Sequence, residues 1–200
     1  MRLSRESERQ RSNLAGYSVG FFLTMLNNLL FFVSMHLLTV PLPLYVEHIG
    51  GGPSQVGLVM ATFAVAAILA RPYVGRLVDR LGGKPSLLLG SLLFTIGALL
   101  YVVSHSVPTL LVGRFLQGLG ISASSTAFIA LVAALAPPGR SGEAIGLSAA
   151  AMPVALMTAP AMGASLLESW GFVPLFVLSA FVSALSLLTA VFVAEPQSTD

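Results

Sequence analysis

The sequence predicts an all-α membrane protein of six transmembrane helices built as a 3+3 inverted repeat, and three observations predict it. The 200 residues are 56% hydrophobic and 9% charged, against roughly 25% charged in soluble domains, and no water-soluble core absorbs that much apolar surface. The apolar residues fall into six runs of the length a bilayer demands, about 20 residues per helix. Nine of the ten Lys and Arg lie on one side of the alternation those runs impose, and the tenth, Arg114, lies inside a run. Loop Lys and Arg are held on the cytoplasmic side during insertion. The protein is therefore expected in the cell (inner) membrane, multi-pass, with both termini cytoplasmic.

Residues 1–16 form a basic tail with Arg2, Arg5, Arg9 and Arg11, read as a topology signal beside a span, with contact to anionic lipid heads as the lesser reading. Span 1 (17–45) is much longer than a signal-peptide core and lacks a cleavage site, so it is read as a retained helix. It carries Asn27, Asn28, Ser34, His36 and Pro41-Leu42-Pro43, and no Asp or Glu. Span 2 (54–74) follows Gly50-Gly51-Gly52-Pro53, and Arg71, Arg76, Arg80 and Lys84 surround its exit. Span 3 (86–104) follows Gly82-Gly83-Lys84-Pro85, and span 4 (108–133) follows His105-Ser106-Val107-Pro108. Span 5 (143–167) follows Pro137-Pro138-Gly139 and Arg140, and span 6 (172–194) follows Trp170-Gly171. Residues 195–200 read as the start of a cytoplasmic linker. Gly and Pro supply the turn chemistry, and loops this short make neighbouring helices antiparallel. A barrel strand's ten-residue alternation is absent, so helices satisfy the backbone.

At an offset of 89 residues the chain matches itself: Gly57-Leu58 with Gly146-Leu147, and Leu77, Asp79, Gly82 and Pro85 with Leu166, Glu168, Gly171 and Pro174. A one-residue slip adds Pro72 and Gly75 with Pro160 and Gly163. Three spans separate the copies, an odd number, so the second enters the membrane upside down. Arg76, Arg80 and Lys84 become Ser165, Ser169 and Val173 in the second copy: orientation removes the charges while the turn residues stay.

Several chemistries are set aside. With no Cys there is neither a disulfide framework nor a thiolate metal site, and no H-E-x-x-H, phosphate loop or metal-ligand cluster is present. No cofactor, metal or nucleic-acid partner is expected, because the basic residues are orientation signals. Six spans also suit an intramembrane serine protease, and Gly120-Ile121-Ser122-Ala123 looks like a degraded G-x-S-G. That chemistry needs a His base near the Ser. The histidines are His36, His48 and His105, none in span 6, so the chain is not read as an enzyme.

The turn Gly75-Arg76-Leu77-Val78-Asp79-Arg80-Leu81-Gly82-Gly83-Lys84 resembles the G-x-L-x-D-R-x-G-R-K signature of the major facilitator superfamily, with Gly83 where the family has Arg. The resemblance implies a gating loop made by Gly75, Arg76, Asp79, Arg80, Gly82 and Lys84, in which Gly75 lets helices approach, Asp79 accepts from a helix N-terminus and Arg80 pairs with a carboxylate. Arg114-Phe115-Leu116-Gln117-Gly118-Leu119-Gly120 in span 4 is similar to the family's R-x-x-Q-G-x-G. A guanidinium in a span is costly and needs acceptors, so Arg114 is expected to face the bundle interior, with snorkelling to the outer interface as the alternative. Gln117 lies one turn along, and Asn28 is taken as its repeat equivalent. The family uses this Arg in proton-linked or conformational coupling. Pro153 and Ala159-Pro160-Ala161-Met162-Gly163-Ala164 resemble the G-P-x-x-G-G element of the antiporter branch, with Ala at two glycine positions. His36 can titrate in place of the missing span-1 carboxylate, or be a His bonded within the bundle. Ser122, Ser124, Ser125 and Thr126 line a cavity or bond back to their own helix. Glu143 opens span 5 where it suits the helix dipole and is expected to latch to Arg76 or Arg80, while Glu47, His48 and Glu168 read as solvated.

The resemblance covers the N-terminal half of a twelve-helix transporter. It implies proton-coupled efflux of a small solute by alternating access, with an uptake permease, or a non-transporting bundle that binds a partner, as alternatives. The partners expected are a small-molecule substrate, the lipid bilayer, and a second six-helix half supplied by a missing C-terminal portion, a separate chain or a homodimer mate.

Overall fold

A computed structural model describes residues 17–193, so the basic tail and the linker expected at 195–200 lie outside the described residues. Among those residues there are helices and no strands: α1 (Val19–Leu37), α2 (Pro41–His48), α3 (Pro53–Leu81), α4 (Gly83–Val102), α5 (Val107–Leu135), α6 (Ser141–Ala149), α7 (Ala151–Trp170) and α8 (Phe172–Phe192). Taken as α1–α2, α3, α4, α5, α6–α7 and α8, they make six helices long and apolar enough to cross a membrane.

Span 1 is not the single helix expected over 17–45. It breaks at residues 38–40 and resumes to His48. Pro41 and Pro43 have no N–H, so the carbonyls of Leu37 and Thr39 lose their helical donors, and the chain tightens through Thr39 N–H to His36 O at 3.1 Å. Span 5 breaks at Ala150. Pro153 falls in the first turn of α7, where a missing N–H costs little, and Pro160 lies inside that helix. Gly83, Lys84 and Pro85, expected in a loop, open α4, and Gly82 alone joins it to α3.

The inverted repeat is written in the turns. The glycines with positive φ among the described residues are Gly50 (86°), Gly82 (89°), Gly139 (77°) and Gly171 (79°). They form two pairs 89 residues apart: 139 − 50 and 171 − 82 both give 89. In the second pair the match reaches the hydrogen bond, since Gly82 N–H donates to Val78 O and Gly171 N–H to Leu167 O, both at 2.9 Å. An L side chain at such φ is strained, which holds glycine in both copies.

Helix packing obeys the same exchange. Spans 3 and 4 pack together, as do 6 and 1; spans 2 and 4 pack, as do 5 and 1; spans 3 and 6 join the copies. Between spans 3 and 4 the seam is glycine: a Cβ on Gly97 would lie 2.6 Å from Gly113 O, and one on Gly120 2.7 Å from Gly90 O. Small residues that admit backbone contact drive helix association in lipid, where apolar burial does not. Between spans 1 and 6 the corresponding seam is polar. Ser34 Oγ donates to Ser179 O at 2.8 Å, and Asn27 Nδ2 donates to Ser186 O at 2.6 Å.

These contacts set the register. Ser179 and Ser186 stand 89 residues after Gly90 and Gly97, while Ser34 and Asn27 stand 90 before Ser124 and Gln117, the residues those two glycines meet. Asn27, not Asn28, therefore occupies the repeat position of Gln117, a one-residue correction to the alignment of span 1. At the end of the bundle away from Arg76 and Arg80, Tyr45, Tyr101, Leu175 and Phe176 close the core, and Tyr45 Oη donates to Ser104 O at 2.6 Å.

Candidate functional site

Arg114 lies seven residues into α5 and is 5% exposed, so it faces the bundle interior and does not snorkel. Its neighbours come from three helices. Nη1 donates weakly to Gln117 Oε1 at 3.4 Å, Nη2 approaches the Met60 sulfur at 3.7 Å, and the guanidinium sits 5.6 Å from the Phe63 ring centroid and 5.9 Å from that of Tyr101. Tyr101 Oη donates to the same Gln117 Oε1 at 2.7 Å. Arg114 Nε and Gln117 Nε2 are buried without partners among the described residues.

Among the described residues no carboxylate answers this cation. Glu47, Asp79, Glu143 and Glu168, the acids among the described residues, each fall within a turn of a helix end. The guanidinium is held by an amide oxygen, a thioether and two ring faces, of which only cation–π contact is a substantial electrostatic return. No sequence pattern marks Met60 or Phe63 as neighbours of Arg114. Tyr101 carried one signal, a phenol near the end of a span, where a hydroxyl must find a buried acceptor.

Asn28 and His36 are not part of this cluster. Asn28, 8% exposed, lines a cavity of about 230 Å³ between spans 1, 4 and 5 with Phe32, Ser125, Phe128, Ser148 and Met152. His36 stacks on Phe32 at 6.2 Å, sets Nδ1 3.5 Å from Thr39 Oγ1, and buries Nε2 without a partner among the described residues. Asn28, Phe32 and His36 thus follow each other at four-residue spacing along one side of α1. Both readings of the span-4 hydroxyls hold in part: Ser125 and Thr126 bond back to Ser122 O at 3.3 and 3.0 Å, Ser125 also lines the cavity, and the Ser122 and Ser124 hydroxyls are buried without partners among the described residues.

The loop expected to gate departs from expectation in its contacts. Arg76, Asp79 and Arg80 are exposed, Lys84 is half-buried, and none makes an ion pair among the described residues. A Cβ on Gly75 would meet nothing within 4 Å, so the close approach expected there is not made by these six helices. Glu143 does not reach Arg76 or Arg80. It pairs with Arg140 three residues away, Arg140 Nε to Oε2 at 2.8 Å and Nη2 to Oε1 at 2.6 Å, because a local pair orders less chain than one bridging two loops. That hydrogen bond, with the charge of Glu143, raises the Arg140 pKa further, and Arg140 also lies 5.2 Å from the Tyr17 ring. In span 5, Pro153 is exposed, Pro160 half-buried and Gly163 buried. Gly163 packs its backbone on the Leu37 carbonyl, the one freed by Pro41.

A sequence profile described as Major Facilitator Superfamily matches residues 19–200. The chain is 33% identical over 153 residues to Myo-inositol transporter 3A of Cryptococcus neoformans var. grubii, covering 74% of this chain and 26% of that protein. It is 24% identical over 178 residues to Quinolone resistance protein NorA of Staphylococcus aureus, covering 89% of this chain and 46% of that protein. Its backbone superposes on the human organic anion transporter MFSD10 (TETRAN) with a TM-score of 0.73 at 21% identity, covering 88% of this chain and 47% of that one. On the peptide transporter POT in complex with sulfate the TM-score is 0.78 at 20% identity, covering 86% and 37%. At such identities the structural likeness is one of fold. The chain spans about half the length, or less, of these relatives.

Proposed function

The chain belongs to the major facilitator superfamily, and on that premise we propose that residues 17–194 are the N-terminal half of a secondary transporter exporting a small solute by proton-coupled alternating access. The observation that carries this reading is the uncovered state of the two repeat-related spans 2 and 5. Within the most apolar 18-residue stretch of each, 17% of the residues are buried, against 50% in spans 1, 3 and 4 and 39% in span 6. On spans 2 and 5 Gly57 and Gly146, 89 residues apart, present bare backbone to empty space. Small residues without a neighbour are what a second helical body would pack against. A second six-helix half, supplied by the continuation of the chain, a separate chain or a homodimer mate, seats there. The Asn28 cavity is then one wall of the solute path at the interface between halves.

In this reading the Gly75–Lys84 turn lies in the cytoplasm, and Arg76, Asp79 and Arg80 find their partners on the second half when the inner gate closes. Arg114 and Gln117 supply fixed polar character inside the bundle. His36 is the titratable group, since no carboxylate lies within the spans away from their ends and imidazole changes charge near neutral pH. The export direction is supported by Pro160 and by the seat of Gly163 on the broken part of span 1. Uptake is the second reading, favoured by Ala159 and Ala164 standing where the export element has glycine.

Proteoliposomes of the assembled transporter, loaded with a pH-sensitive dye and challenged with candidate solutes, test the proposal. Solute-dependent proton movement that is lost in His36→Ala supports it. Solute flux indifferent to the proton gradient would remove the coupling, and no flux with any solute would favour a partner-binding bundle.

A further inference from the structure

At one crossing the two copies of the repeat differ, and the Asn28 cavity stands there. In the register set by the span contacts, Asn28 of span 1 corresponds to Gly118 of span 4, since 118 − 28 gives 90. At the offset of Gly57 and Gly146, Phe63 of span 2 corresponds to Met152 of span 5, since 152 − 63 gives 89. Between spans 4 and 2 the crossing is closed: a Cβ on Gly118 would run into the Phe63 carbonyl and lie 2.6 Å from the Ala66 Cβ. Between spans 1 and 5 the corresponding residues, Asn28 and Met152, instead both line the cavity of about 230 Å³.

The amide of Asn28 is the open polar group of that cavity. Asn27 beside it spends its amide on Ser186, whereas Asn28, 8% exposed, makes no side-chain hydrogen bond among the described residues. The two hydroxyls in the wall spend their hydrogens on their own helices, Ser148 Oγ donating to Ile145 O at 2.8 Å and Ser125 Oγ to Ser122 O at 3.3 Å. The rest of the lining is apolar, with the rings of Phe32 and Phe128 and the adaptable thioether of Met152, and no charged side chain among the described residues lines it. An ionic solute finds no counter-charge here, and a polyol would bury hydroxyls without partners; both are costly. A carboxamide offers an NH2 donor and a carbonyl acceptor side by side, so a second amide-like group answers both at once. A dry apolar cavity of about 150 Å³ accepts benzene, so this larger one suits a body of about two fused rings.

We propose that Asn28 is a specificity-determining residue of the solute path, selecting an uncharged aromatic solute that carries one amide-like group, a proposal that rests on the transport reading above. A lipid acyl chain in the cavity would leave the amide unmet. A side-chain amide of the second half offers the same chemistry as the solute, and the test separates the two.

The assembled transporter in lipid nanodiscs is titrated with 2-naphthamide, with the anion 2-naphthoate and with the polyol sorbitol, binding being read by calorimetry without a proton gradient. Saturable binding of 2-naphthamide is expected, with 2-naphthoate and sorbitol weaker. Asn28→Leu, close in volume, is expected to weaken 2-naphthamide about tenfold, the scale of one amide pair. Met152→Trp keeps the amide and fills the cavity, and is expected to weaken 2-naphthamide more than the smaller benzamide; it reads the site even where Asn28→Leu does not fold. Sorbitol or 2-naphthoate binding more tightly than 2-naphthamide, an affinity unchanged in Asn28→Leu, or equal weakening of both amides in Met152→Trp would overturn the proposal. So would the absence of 2-naphthamide binding, which would leave the Asn28 amide to the second half. Sorbitol-driven proton movement without 2-naphthamide binding overturns this solute class and keeps the transport reading, whereas 2-naphthamide binding without proton movement does the reverse.

Discussion

Adding one methyl group at Gly97 tests whether the glycine seam between spans 3 and 4 holds the bundle. A Cβ there would lie 2.6 Å from Gly113 O, 2.7 Å from Gln117 Cγ and 3.3 Å from Gln117 N. Ordinary contact begins near 3.4 Å, so the helices must part by 3.4 − 2.6, or about 0.8 Å, at this crossing. A radial gap of that size forfeits a quarter to a half of each dispersion contact along the seam, and overpacking of this kind costs about 1–3 kcal/mol. Gly57→Ala, read in the six-helix chain without a second half, is the control. Nothing lies within 4 Å of its Cβ, so its effect should stay within about 0.5 kcal/mol. Equilibrium unfolding in mixed micelles under SDS titration reads both variants. The reasoning fails if Gly97→Ala is no less stable than Gly57→Ala.

Other substitutions carry their own expectations. Gly82→Ala and Gly171→Ala should each lose about 1–3 kcal/mol, because both positions need a left-handed φ; unequal losses in the same unfolding assay would argue against equivalent turns. Tyr101→Phe should cost about 0.5–1.5 kcal/mol by removing the hydrogen bond to Gln117, and a neutral result would deny that bond. Asn27→Ala should cost about 0.6–1.7 kcal/mol, the range for interhelical hydrogen bonds in membranes, whereas Asn28→Ala, lining an open cavity, should change solute binding more than stability. Glu143→Gln should leave the unfolding midpoint unchanged because Glu143 is exposed and its pair with Arg140 is a surface one, and a loss of stability would reinstate a wider latch.

The features legible in the sequence were those fixed by local chemistry. Gly82 and Gly171 announced themselves because each ends a long apolar helix before a proline-bearing one, and the loss of Arg76, Arg80 and Lys84 from the second copy showed the inversion. The Gly50–Gly139 pair was missed, since one sits in a run of glycines before Pro53 and the other behind Pro137-Pro138; only their shared φ reveals the match. The break in span 1 was implicit in Pro41-Leu42-Pro43, yet how α1 and α2 would meet depends on Gly163 from another helix. Asn27 and Asn28 are indistinguishable by spacing, and only contact with Ser186 decides between them. Tyr101 and Gln117 meet across an interhelical turn whose register no local pattern states. For Glu143 the nearer Arg140 competes with the distant Arg76 and Arg80 at lower entropic cost.

Asp79 and Glu168 stand 89 residues apart in the two equivalent turns, both exposed, in a chain with no native Cys. Single Asp79→Cys and Glu168→Cys variants, probed in oriented membranes with a thiol reagent that cannot cross the bilayer, report the side each turn occupies. Labelling of residue 79 from the cytoplasmic side alone, and of residue 168 from the opposite side alone, is the result an inverted six-span repeat requires. Labelling of both from the same side would contradict it, and with it the transporter half built on that repeat.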